Sequence, residues 1–168
     1  MLCDVLKPTS GSVLYDGVDI AALGADYRAL LGYLPQDFGY YPDFTALDFM
    51  RYLASLKGMD RARARRRSLE LLELVDLANV AKHRIKTFSG GMKQRLGIAQ
   101  ALMENPELLI LDEPFNGLDR HGVEEIRTLL LAEKEKGKTI LLASHNTEDI
   151  QVLCDHVFEM DGGVMRKR

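Results

Sequence analysis

The sequence predicts an α/β protein built around a parallel sheet, and three observations carry that prediction. Leu108 to Leu111 is an unbroken apolar run, the pattern of a strand buried on both faces. Thr139 to Ala143 reads as a second buried strand. Helical patterns of about 10–15 residues alternate with these short strands, as parallel crossover units require. At 168 residues the chain suffices for one domain with a sizeable core.

Taken in order, Met1 to Leu6 reads as the tail of a helix, stopped by Pro8 and Gly11. Ser12–Tyr15 and Val18–Ile20 flank Asp16-Gly17, a hairpin turn. Asp26 to Leu30 fits one helical turn, and Gly32-Tyr33-Leu34 a short strand cut off by Pro35, with Gln36 just beyond. Thr45 and Asp48 form a capping box ahead of Leu47, Phe49, Met50, Leu53 and Leu56, with Gly58 as the stop. Asp60 caps a helix to about Val75, striped by Leu69, Leu72 and Val75. Ser89 caps another that runs to about Glu104, before Asn105-Pro106.

Beyond the Leu108–Leu111 strand, Gly122 to Lys136 is helical with Gly137 at its end. Asn146 to Cys154 is a short helix, and Val157 to Met160 a last strand turned by Asp161-Gly162-Gly163. No internal repeat or low-complexity segment interrupts this plan.

Composition narrows the function. Hydrophobic content of 46% and charged content of 28% are ordinary for a globular protein. A net charge of −3 speaks against a dedicated nucleic-acid binder. The arginines at 61, 63, 65, 66 and 67 lack interleaved aromatics and read as a solvated helix face balanced by nearby acids. Cys3 and Cys154 match no metal spacing and are expected as free thiols. No apolar run approaches the ~20 residues that span a bilayer, so work at a membrane needs spans from another polypeptide.

Chemistry concentrates at strand ends, where open parallel sheets bind ligands. Gln36, the pair Asp112-Glu113, and Ser144-His145 stand at three such ends. A strand-terminal acid is often only a loop or capping residue, and a lone histidine is more often structural than catalytic. Their joint occurrence is the signal. Adjacent carboxylates suit a magnesium ion and a base. Ser89-Gly90-Gly91 opens a helix whose bare N–H groups suit a phosphate.

These residues, in this order, resemble the nucleotide-binding domain of ATP-binding cassette (ABC) proteins over essentially the whole chain. The signature motif is matched by Phe88-Ser89-Gly90-Gly91-Met92, and the Walker B strand by Leu108 to Asp112 with Glu113 after it. The D-loop is matched by Asn116-Gly117-Leu118-Asp119, the switch histidine by His145 and the Q-loop glutamine by Gln36. Phe88 and Met92 stand where the family most often has leucine and glutamine.

The resemblance implies a P-loop NTPase fold with a helical subdomain, about residues 42–105, inserted in a single cassette covering 1–168. It implies ATP and Mg²⁺ as ligands. Asp112, with Gln36, would hold Mg²⁺; Glu113 would act on the attacking water and His145 on the γ-phosphate. Ser89, Gly90 and Gly91 would meet the ATP of a second, facing cassette in a head-to-tail dimer. A separate transmembrane permease would place the protein in the cytoplasm, at the inner face of the membrane. Leu34 to Thr45 is similar to the branch exporting drugs, antibiotics and lipids.

One family element is not in the sequence. A P-loop needs Gly, four residues, then Gly-Lys-Ser/Thr. Gly137-Lys138-Thr139 has Ala132 at the first glycine position and precedes a strand, so it reads as a helix exit. The resemblance therefore implies a cassette truncated before or within the Walker A region. The lost strand is expected beside Leu108–Leu111, leaving apolar surface and unpaired backbone, with poor solubility or molten character. The intact protein is expected to be an ATPase and this chain inactive alone. The alternative is a non-catalytic fragment offering only its signature to an intact partner. Cassettes of DNA repair carry a long coiled coil after the Q-loop, whereas about 50 residues separate Gln36 from Phe88 here. Translation cassettes come in pairs with a charged linker.

Overall fold

The computed structural model describes residues 1–168. The first residues form turns rather than the expected helix tail. Asp4 lies at φ 55°, outside the helical region, and only its N–H reaches back, to Met1 O. The segment is tied down from outside: Tyr27 Oη donates to Leu2 O at 2.7 Å and Arg28 pairs with Asp4 at 2.6 Å. Strands β1 (Leu14–Tyr15) and β2 (Val18–Asp19) form the expected hairpin. Asp16 and Gly17 both take positive φ, the turn that matches strand twist. Helices α1 (Ile20–Leu23) and α2 (Ala25–Leu30) lead into β3 (Leu31–Leu34).

Helix α3 (Ala46–Leu56) is capped by Thr45, whose Oγ1 accepts from Asp48 N at 3.1 Å. The box is not reciprocal: the Asp48 carboxylate accepts from the Thr45 hydroxyl at 2.8 Å instead of a backbone N–H. Asp60 accepts from the N–H groups of Ala62 and Arg63 and opens α4 (Arg61–Leu74). Arg61, Arg63, Arg65 and Arg66 are exposed, as a solvated face should be. Arg67 differs: its guanidinium donates to Leu102 O and Met103 O. Those carbonyls lie just past the end of α5 (Gly90–Ala101), which stops short of the expected Glu104.

Strand β4 (Leu108–Asp112) follows, then α6 (Arg120–Glu135), β5 (Thr139–Ala143) and α7 (Thr147–Leu153). A second hairpin, β6 (Phe158–Asp161) with β7 (Val164–Lys167), ends the chain. Strands β3, β4 and β5 form one parallel sheet in that order. Leu34 pairs with Leu111, and Asp112 with Ala143.

This order corrects two expectations. Strand β4 is hydrogen-bonded along both edges, so no further strand can lie beside Leu108–Leu111; the edges left unpaired in this sheet are the outer sides of β3 and β5. Strand β5 is also not buried: Thr139, Leu141 and Ala143 are exposed, and Leu141 keeps 40% of its surface. An apolar run signals burial on both faces only when both faces are covered. Here β4 has that cover and β5 does not.

The core is continuous across sheet and helices. Leu34, Leu109 and Leu111 from the sheet join Phe49, Met50, Leu71 and Leu72 from α3 and α4, with Leu96 and Ile98 from α5 and Ile126 from α6. Each such side chain contributes about 2 kcal/mol by leaving water. Gly137-Lys138-Thr139 is the helix exit that the sequence implied. Lys138 Nζ donates to Pro106 O and Asn105 Oδ1 at 2.6 and 2.7 Å and faces the buried Glu133 at 3.5 Å. Cys3 and Cys154 are not bridged.

Candidate nucleotide-handling site

The polar residues that end β4 and β5 meet because those strands run parallel in register. Glu113 follows the last residue of β4 and sits at φ 48°, a left-handed conformation in a non-glycine residue. Such geometry costs about 1–3 kcal/mol and persists only when its surroundings hold it. Here they do. Its N–H donates to Ala143 O at 2.9 Å. Its carbonyl accepts from Asn116 N at 3.2 Å and from Gln94 Nε2 at 3.1 Å.

The turned backbone points the Glu113 carboxylate toward the end of β5. Oε1 accepts from the His145 N–H at 3.0 Å and lies 2.7 Å from His145 Nδ1. Glu113 is largely covered, with 18% of its side chain exposed, while the imidazole is 81% exposed. The hydrogen bond to the Glu113 carboxylate, then its charge, raises the His145 pKa above the usual histidine value, with Asp149 adding a smaller push.

Asp112 ends β4 beside Glu113, half-buried, and its carboxylate enters no ion pair or side-chain hydrogen bond. An unclaimed carboxylate at a strand end fits a hard divalent cation. Yet no cluster of three His, Cys, Asp or Glu residues surrounds it. The protein alone offers no closed metal cage; the donor set suits an ion that keeps its waters and takes phosphate oxygens as ligands.

Gln36 is exposed and bonds neither Glu113 nor His145. With Tyr40, Lys93 and Gln94 it lines an open cleft of about 300 Å³ between β3 and α5. Lys93 lies over the Tyr40 ring at 4.9 Å.

The glycine-rich turn is built as the sequence suggests. Ser89 Oγ accepts from Met92 N at 3.1 Å, making it the cap of α5. The N–H groups of Gly90 and Gly91 have no partner within the chain, as first-turn donors commonly do not. The two glycines have different reasons to be there. A Cβ on Gly90 meets nothing within 4 Å, whereas one on Gly91 would lie 2.8 Å from Gly117 O. Gly117, at φ 74°, brings the 116–119 loop against that helix start. Asp119 ends the same loop and caps α6, accepting from Gly122 N at 2.8 Å.

Sequence reasoning does not reach four residues. Gln94 reads only as part of a helix, although helical spacing puts it one turn past Gly90 on the same face. Arg127 and Asp149 join α6 to α7, with Nε and Nη2 both donating to Asp149 Oδ1 at 2.8 and 2.6 Å. Lys138 locks the entrance to β5. Asp149, an acid in a half-apolar helix, and Gln94, by its spacing from Gly90, give a weak signal; the partners of Arg127 and Lys138 leave none.

The comparisons with known proteins meet this geometry. The family model described as ABC transporter matches residues 1–116, well over half of the chain. The chain belongs to the ABC transporter ATP-binding family. That match ends at Asn116, so it takes in the signature residues and Asp112-Glu113 but not His145. Among curated relatives of this cassette, the linearmycin resistance ATP-binding protein LnrL of Bacillus subtilis (strain 168) is 36% identical over 165 residues, 98% of this chain and 53% of its own length. The bacitracin transport ATP-binding protein BcrA of Bacillus licheniformis is 40% identical over 158 residues, 94% of this chain and 51% of its own. The lantibiotic transport ATP-binding protein SrtF of Streptococcus pyogenes is 35% identical over 169 residues, covering all of this chain and 71% of its own. The cassette spans about half the length of the first of these relatives.

Among solved structures, the dimeric post-hydrolysis state of the ATP-binding cassette MJ0796, bound to ADP and Pi, superposes with a TM-score of 0.85 at 28% identity. It covers 99% of this chain and 76% of that one. The fold is that of the P-loop NTPases, with the parallel sheet and helices described above.

Proposed function

We propose that this cassette is the ATP-binding part of an ABC transporter subunit, coupling ATP binding and hydrolysis to transport through a separate membrane permease. The observation that carries the reading is the junction of β4 and β5. Glu113, held in a left-handed backbone, aims its carboxylate at His145 beside the unclaimed Asp112. Under this reading Asp112, with Gln36, holds Mg²⁺, Glu113 orients or deprotonates the attacking water, and His145 touches the γ-phosphate. Magnesium bound with ATP supplies neutralisation of charge on the phosphates. Ser89, Gly90 and Gly91 serve the nucleotide of a second cassette; the open space over Gly90 supports that assignment. The D-loop, Asn116 to Asp119, lies between the two sets of residues.

Residues 42–105 form the helical subdomain in this scheme, and 1–168 one cassette. No helix is long and apolar enough to cross a membrane. On the family resemblance, we assign the protein to the inner face of the membrane, beside its permease. The similarity to relatives named for linearmycin resistance and bacitracin transport supports export of an antibiotic, drug or lipid.

We further propose that the 168-residue polypeptide by itself neither binds ATP at micromolar levels nor hydrolyses it measurably, because the phosphate-wrapping Gly-rich loop and its lysine are not among its residues. A second reading follows from the free N–H groups of Gly90 and Gly91: the chain lends its signature to an intact cassette. Calorimetric titration with Mg-ATP tests the first. Tight magnesium-dependent binding overturns it. For the second, the chain is added to an intact cassette at a concentration where that cassette turns over slowly. Turnover is expected to rise with the native chain and to stay flat with Gly90→Arg.

A further inference from the structure

The bonds around Glu113 come from its own loop, from the end of β5 and from one distant side chain. That side chain is Gln94. We propose that Gln94 is a positioning residue, fastening the signature helix α5 to the backbone of Glu113 and so setting the aim of its carboxylate. The inference rests on the reading of Glu113 as the residue that faces nucleotide.

The chemistry of the bond is unambiguous. A carbonyl oxygen only accepts, so it is the Gln94 amide nitrogen that lies 3.1 Å from Glu113 O. Glu113 occupies a sparsely populated backbone region at φ 48°. Its carbonyl carbon and its side chain leave the same Cα, so a rotation about N–Cα, the bond held at this unusual φ, that frees the carbonyl also swings the carboxylate. Two bonds depend on that aim: His145 N–H to Oε1 at 3.0 Å and His145 Nδ1 to Oε1 at 2.7 Å. Asn116 N–H shares the carbonyl at 3.2 Å but belongs to the same turn and moves with it.

The link has a second anchor nearby. Gly91 and Gly117 pack so closely that a Cβ on Gly91 would lie 2.8 Å from Gly117 O. The start of α5 is thus fixed at two points to the segment running from Glu113 to Asp119. Gln94 also borders the cleft lined by Gln36. A shift of the Ser89–Gly91 turn is thereby carried through a half-buried side chain to the carboxylate. Side chain and carbonyl form a rigid connection between the part of the chain that meets another cassette's nucleotide and the part that meets its own.

The test uses the 168-residue chain and reads His145 by nitrogen–proton NMR, with amide hydrogen exchange and thermal unfolding alongside. Gln94→Met keeps length and volume and removes the donor. We expect the His145 imidazole signals to move toward those of Glu113→Gln. The His145 amide is expected to exchange about tenfold faster, since local opening governs that rate. Amides of β4 and α6 are expected to keep native rates. Gln94→Lys, a donor of similar reach, is expected to restore the native imidazole signals. Should Gln94→Met unfold the chain, Gln94→Asn is read the same way, being polar but one methylene short. The proposal fails if the variant leaves His145 unchanged, if exchange rises uniformly along the chain, or if the native chain shows no His145–Glu113 contact. No nucleotide enters these measurements, so an absence of ATP binding bears on the proposed function and not on Gln94.

Discussion

Glu113 and His145 are 32 residues apart in sequence and meet at 2.7 Å. One follows β4 and the other β5, and the parallel pairing of those strands sets their separation. Because Glu113 raises the His145 pKa, the folded imidazole stays protonated to higher pH than the unfolded one. The contact's stabilising contribution is therefore fully present below the unfolded pKa of about 6.5 and is lost as pH rises through the raised folded value. An NMR titration of His145 is expected to show a midpoint above that reference, falling back toward it in Glu113→Gln. A native midpoint at or below the reference contradicts the geometry.

The two signature glycines should respond differently to the same change. Gly91→Ala pushes a methyl group against Gly117 O, and overpacking of this kind costs about 1–3 kcal/mol. Gly90→Ala meets open space and should stay within about 0.5 kcal/mol of the native chain. Chemical denaturation of both variants checks the contrast. Equal effects would mean that the loop does not rest on the helix start.

Arg127 holds a carboxylate with 1% of its side chain exposed. Removing one partner of a buried pair leaves the other charge unpaired, so Arg127→Met is expected to destabilise by about 3–5 kcal/mol. Arg127→Met with Asp149→Leu should recover much of that loss. A single variant as stable as the native chain would show that water reaches Asp149 freely.

Strand β5 has an unpaired edge and an exposed Leu141. Edges of this kind pair with other chains unless charged or covered. We expect the isolated polypeptide to self-associate, and Leu141→Lys to shift it toward monomer in sedimentation velocity. The continuous core across β3, β4 and the helices favours a cooperative fold with a sticky edge over a molten chain. Self-association unchanged by the charge would place the adhesive surface elsewhere.

Much of the site is legible in the residues alone. Caps announce themselves locally: Thr45, Asp60 and Ser89 each stand before an apolar helical stripe and each bonds the N–H groups expected of a cap. Turn chemistry is equally local, as Asp16-Gly17 shows. The strand-end residues Gln36, Asp112, Glu113 and His145 are readable because polar groups ending apolar strands are conspicuous. The N-terminal turn reads wrongly as a helix tail because Pro8 and Gly11 mark the end of any segment, helical or not.

What the sequence by itself determined is the set of elements, their caps and the list of chemically equipped residues. Only the tertiary structure decided which strand lies at the edge, that Glu113 is turned left-handed toward His145, and that Gln94 rather than Gln36 touches it. The physical reason is range. Capping, turns and periodicity act over a few residues and leave a local record. Strand order, cover over a face and the meeting of residues 19 or 32 positions apart come from how the whole core packs, and no short stretch of sequence records that.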